Sequence, residues 1–119
     1  MSPSSNSVVV LDRSAALDRV GGDEELLREI ASLFLSEYPS LMQEVRDAVQ
    51  KRDPSALERS AHSLKGSVAN FEAHDAVRAS FRLESMGRTK NLDGVVAALV
   101  DLEAAFQALE PALVNLSTE

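Results

Sequence analysis

The chain has 119 residues, 45% of them hydrophobic and 26% charged, which is the composition of one ordinary globular domain with a core of its own. The formal net charge is −7, so nucleic acid and anionic membrane surfaces are disfavoured as partners in the absence of a strong basic patch. There is no cysteine, hence no disulfide framework, thiol nucleophile or thiolate metal site, and no apolar run is long enough to span a bilayer. Glycine (5) and proline (4) are scarce, so turns are few, and a chain rich in Leu, Ala, Val, Glu and Arg with few turns reads as long helices.

Residues 1–10 are predicted to form a flexible tail, polar and Ser-rich up to Ser7, and 11–119 to form the helical domain. The apolar run Val8–Leu11 has no second strand to pair with and is read as a segment packing across the domain. Asp12 is the predicted N-cap of a short helix that buries Ala15, Ala16 and Val20 and ends at Gly21-Gly22. Asp23 caps the next helix, with Glu24 and Glu25 in the first turn, where the dipole favours them. Leu26, Leu27, Ile30, Phe34, Tyr38, Leu41, Met42, Val45 and Val49 then recur at three- and four-residue spacing. This predicts a helix of about seven turns, with a kink near Tyr38 because Pro39 removes one backbone bond and crowds the carbonyl of Leu35.

Asp53-Pro54 is an N-cap followed by proline at the first helical position. The helix it starts has Leu57, Ala61, Leu64, Val68 and Phe71 as its core stripe and is predicted to end near 70–72. A fourth helix is predicted over Ala73–Met86, with Ala76, Val77, Ser80, Leu83 and Met86 inward and Gly87 closing it. Asn91 is the predicted cap of a fifth, carrying Leu92, Val95, Val96, Leu99, Leu102, Phe106, Leu109 and Leu113, with Pro111 bending its end. Short connections make sequential helices antiparallel. The expected architecture is all-α: an up-down four-helix bundle with a short N-terminal accessory helix. No exposed apolar stripe is evident in the sequence, which together with the acidic charge favours a monomer.

One position carries chemistry. His62 falls about 140° from the centre of the third helix's core stripe on a helical wheel, so it is predicted to face solvent. Lys65 lies one turn on, within reach of a group attached to the imidazole. Gly66 shares the face, although a mid-helix glycine costs about 1 kcal/mol against alanine. Either something approaches the backbone there or a ligand uses the space of the missing side chain. A solvent-facing histidine is by itself commonplace. With a lysine three and a glycine four residues on, it describes a nucleophile, a cation and a clearance, which suits an imidazole that accepts and surrenders a phosphoryl group.

The stretch A-H-S-L-K-G-S, Ala61 to Ser67, resembles the signature of histidine-containing phosphotransfer (HPt) domains of two-component phosphorelays. Gly22–Leu27 resembles the start of that family's second helix, Phe34 and Glu37–Pro39 its middle, and Leu83-Glu84 its fourth helix. The resemblance implies that His62 is the phosphorylated residue and that Lys65 and Gly66 are the motif's lysine and glycine. It implies a carrier, not an enzyme, taking its phosphoryl group from the aspartate of a receiver domain of a response regulator or hybrid sensor kinase. The receiver would bring magnesium; the chain itself would need no cofactor and no metal, and would act in the cytoplasm. Docking is expected on Glu58, Arg59, His62, Lys65, Gly66 and Ala69, with part of the second helix beside them. Glu72 stands where the family commonly has a small residue, often glycine, so Asn70 is expected to terminate the third helix instead.

The remaining candidates are weaker. His74 reads as a surface or capping residue, about 18 Å along a helix from His62 and so no metal partner for it. Ser63 and Ser67 have no arranged base and read as surface hydroxyls. No glycine-rich phosphate loop or nucleotide-binding signature occurs, so direct use of ATP is not expected. The competing reading is a helical interaction module without phosphoryl chemistry, either a degenerate HPt-like adaptor or a dimerising bundle.

Overall fold

The structure, a computed structural model, describes residues 10–119. It contains α1 (Arg13–Arg19), α2 (Glu24–Lys51), α3 (Pro54–Val68), a 3-10 turn (Ala69–Phe71), α4 (His74–Thr89) and α5 (Val95–Ser117). The four long helices pack as a closed ring, α2 on α3, α3 on α4, α4 on α5 and α5 back on α2. Helix α1 lies against the 3-10 turn and the start of α2. The fold is the expected all-α bundle with an accessory helix. Residues 1–9 of the predicted tail, Val8 and Val9 among them, lie outside the described residues; Val10, the last residue of that tail, and Leu11 pack, partly buried, against the core.

Three aspartates start three helices as their positions predict. Asp12 accepts from the Ala15 amide at 3.0 Å, Asp23 from Leu26 at 3.0 Å and Asp53 from Ala56 at 3.2 Å. Each satisfies one of the orphan donors of a first turn. Helix α2 runs through Pro39 as one unbroken element, and α5 likewise passes Pro111. The core of α2 is aromatic at its middle: the rings of Phe34 and Phe71 stand 5.6 Å apart and those of Tyr38 and Phe106 5.6 Å. The Tyr38 hydroxyl donates to Glu110 at 2.8 Å and so ties α2 to α5.

Four expectations are corrected. Gly87 does not close α4; it is buried inside that helix, where an added Cβ would stand 2.6 Å from both the Glu58 nitrogen and the Pro54 oxygen. It is the point where α4 presses backbone to backbone on the first turns of α3, and the helix ends instead at Thr89, before left-handed Lys90. Asn91 does not cap α5 either. Its side chain accepts from the Asp93 amide at 3.2 Å in the preceding turn, and Gly94, at φ +80°, leads into the helix. Asn70 does not terminate α3: it sits inside the 3-10 turn, and Glu72 takes the left-handed conformation at φ 53°. An ion pair from Arg19 of α1 at 2.7 Å holds Glu72 there, so a contact from another element offsets what a glycine would have avoided. Finally, Val96 is 65% exposed, and Val100 and Val114 join it on the outer face of α5. That helix is apolar on nearly every side, so periodicity alone did not separate its inner from its outer face.

Candidate functional site

The outward face of α3 and the adjoining edge of α4 form the site. The His62 side chain is 65% exposed, as the wheel predicts. Its ring is not free to spin, because Nδ1 lies 2.9 Å from Oε2 of Glu84 on α4. Glu84 itself is 4% exposed at the side chain, a buried carboxylate between two cations and the His62 ring. Lys65 Nζ stands 2.7 Å from its Oε1, and Arg88 Nη2 donates to its Oε2 at 2.8 Å. Lys65 also lies over the ring of Phe81, 5.1 Å from its centroid, a cation–π contact.

Burial alone would push the Glu84 carboxyl up. The contacts from Lys65 and His62, and their charge, more than reverse this and hold it below the usual carboxylate range. Glu84 is therefore ionised at neutral pH and can only accept hydrogen bonds. Nδ1 of His62 must then carry the proton, which leaves the Nε2 lone pair directed away from Glu84 in the neutral ring. A buried carboxylate thereby sets both the tautomer and the orientation of an exposed imidazole.

Gly66 lies one turn on, exposed, and among the described residues nothing comes within 4 Å of an added Cβ. No part of the described chain accounts for the missing side chain. Glu58 and Arg59 line a shallow hollow beside His62 with Ser63 and Glu84. Glu58 also accepts from Arg88 at 3.4 Å, while Arg59 is exposed. Ala69 is not part of that hollow; it begins the 3-10 turn, and its carbonyl accepts from Arg19 at 3.3 Å. On the other side of α3, Ser36, Glu37, Ser40 and Leu41 of α2 form a second groove with Ser63 and Ser67. His74 opens α4 at the surface, 3.9 Å from Glu72. No group of three or more histidines or carboxylates that could hold a metal ion occurs among the described residues.

Sequence reasoning gave no role to Glu84, Arg88 or Phe81. A signal existed for Glu84. It follows Leu83 and lies four residues after Ser80 on the inward side of α4, and a carboxylate on a buried face demands a cation from a neighbouring helix.

The Hpt domain family model matches residues 29–112. The chain belongs to the Hpt domain family, whose members generally carry a phosphoryl group and interact with receiver domains in phosphorelays. Its fold is similar to the crystal structure of histidine-containing phosphotransfer protein B (HptB) from Pseudomonas aeruginosa PAO1. The TM-score is 0.84 at 21% sequence identity, over 94% of this chain and 97% of that one. No curated protein matches the chain. No helix among the described residues is long and apolar enough to cross a membrane.

Proposed function

We infer that the chain is a histidine phosphocarrier in which Nε2 of His62 takes a phosphoryl group from a receiver aspartate and yields it to another. The observation that carries this reading is the contact of Nδ1 with the buried Glu84 carboxylate, which leaves Nε2 as the nucleophile on an exposed ring. In the forward step the Nε2 lone pair attacks phosphorus. A P–N bond forms, the P–O bond to the receiver aspartate breaks, and the aspartate leaves as carboxylate. The ring keeps its Nδ1 proton and becomes cationic, and Glu84 faces that charge. The phosphoryl group brings nearly two negative charges near neutral pH, and Lys65 is the cation one turn away that can offset them. Gly66 leaves room for the partner's active site to close over the ring. Magnesium and most of the catalytic machinery belong to the receiver, the setting is the cytoplasm, and the carrier works as a monomer that docks transiently.

Intact-mass analysis after mixing with a phosphorylated receiver and magnesium tests this, with His62→Gln beside wild type. One acid-labile phosphoryl adduct on wild type and none on a folded His62→Gln variant is the expected result. The exposed Val96, Val100 and Val114 on α5 keep a second reading in play, an interaction module without phosphoryl chemistry. Absence of any adduct across the organism's receivers, with a stable complex formed through α5, is the result that would favour it.

A further inference from the structure

Of the four phenylalanines, Phe34, Phe71 and Phe106 are buried, while Phe81 on α4 is 48% exposed. An exposed aromatic ring needs an explanation, and this one lies beside the site. Lys65 Nζ sits over it, and the same ammonium reaches Glu84, which holds His62. Phe81 also borders a groove along α4 lined by Arg78, Arg82, Ser85 and Met86, with Asp93 near its far end. Arg78 pairs with Asp75 and Arg82 with Asp101, but these are surface pairs between exposed side chains, worth little and readily exchanged.

Charge is unevenly spread. Residues 54–90 hold six of the twelve basic residues and only four of the nineteen acidic ones, so this stretch of sequence is net positive in a chain of net charge −7, while along the α4 edge itself Asp75, Asp93 and Asp101 stand beside Arg78 and Arg82. Arginine and aromatic side chains are the residue types that dominate binding energy at interfaces. A receiver's phosphorylation site is necessarily acidic, because its aspartate and the magnesium beside it require several carboxylates.

We propose that the exposed edge of α4, with Phe81 as the anchor and Arg78, Arg82 and Lys65 around it, is a docking surface for the acidic rim of the receiver. This rests on the phosphocarrier reading and extends the docking face beyond α2 and α3. Phe81 fills an apolar hollow on the receiver, and the cations face carboxylates at its rim. Gly87 fixes α4 against α3, so this edge keeps a set position relative to His62 and can report whether the partner is correctly seated.

The test compares wild type, Phe81→Ala and the double variant Arg78→Glu/Arg82→Glu. Two readouts are needed: phosphoryl transfer from the receiver of the same organism that labels His62 fastest, and labelling by phosphoramidate, which needs no partner. Circular dichroism confirms that each variant is folded. Phe81→Ala is expected to lower transfer efficiency about tenfold, through a higher half-saturating receiver concentration. The double reversal is expected to slow transfer at low salt and flatten its dependence on ionic strength. Phosphoramidate labelling of the double variant, whose arginines pair only with Asp75 and Asp101, should stay within about twofold of wild type. If receiver transfer by both variants is also unchanged, the α4 surface is overturned while the carrier reading stands. If wild type takes no phosphoryl group from either donor, the carrier reading falls and this surface with it.

Discussion

Two glycines sit inside the last turns of helices on the two sides of this site, and their surroundings are opposite. Gly87 is buried, and an added Cβ would meet backbone of α3 at 2.6 Å on two atoms; Gly66 is exposed, with open space above it. Each gives up the same helix propensity. At Gly87 the return is internal, the close approach of α4 to α3 that brings Glu84 beside His62. At Gly66 the described part of the fold gains nothing, which the proposed docking of a receiver would explain. A glycine pressed against a neighbouring helix and one facing open space look alike in sequence and differ only in what faces them.

The largest effect should come from Gly87→Ala. Its Cβ meets backbone rather than a side chain that could swing away, so the helices must separate, at a cost of about 3 kcal/mol. Chemical denaturation reads this directly, and a variant as stable as wild type would break the comparison. Separation should also loosen the contact of His62 with Glu84, seen as changed ring shifts by NMR.

Glu84→Gln comes next and sharpens the account of the site. The Lys65 and Arg88 cations and the neutral His62 ring around Glu84 retain some exposure, so its loss should cost less than a fully buried pair, about 1–2 kcal/mol at neutral pH. The sign of the pH dependence follows from the direction of the shift. The folded carboxyl titrates below its unfolded counterpart, so its stabilisation is present above the usual carboxylate range and is lost as pH falls through the folded value. Denaturation curves taken from about pH 6 down to about pH 3 should fall less steeply for Glu84→Gln than for wild type. Parallel acid limbs would show that Glu84 is not held by its cations.

Gly66→Ala should do the reverse of Gly87→Ala. It is expected to raise stability by about 0.5–1 kcal/mol, through helix propensity alone. It should nevertheless slow phosphoryl transfer from a receiver, because the methyl occupies the clearance. A variant that is more stable and transfers at the wild-type rate would remove the functional half of the comparison. The smallest effect concerns Tyr38, whose hydroxyl is pushed up to about 12 by burial and by its bond to Glu110. The folded state keeps a proton that the unfolded chain loses earlier, so stability should decline as pH rises above the ordinary tyrosine value. Tyr38→Phe should lack that alkaline decline, which thermal melts at high pH would show.

What was legible in the sequence is local. The caps Asp12, Asp23 and Asp53 act on amides three residues away, so their effect is written in adjacent positions. The outward direction of His62 follows from the period of one helix. Gly87 was misread because a glycine near a helix end resembles a stop signal, and only the approach of α3 gives it another purpose. Glu72 was misread because the ion pair that steadies it comes from Arg19, more than fifty residues earlier in the chain. Glu84 acquires its role from residues on another helix, and α5 hid its outer face because valines and alanines surround it on most sides.

The central claim is that Glu84 holds the proton on Nδ1 of His62 and leaves Nε2 to carry the phosphoryl group. Nitrogen and phosphorus NMR of the His62 ring, before and after phosphorylation, tests this most directly. The account predicts a protonated Nδ1 in both states and a phosphorus–nitrogen coupling at Nε2 alone. Phosphorylation at Nδ1, or on another residue while His62 remains unmodified, would contradict it.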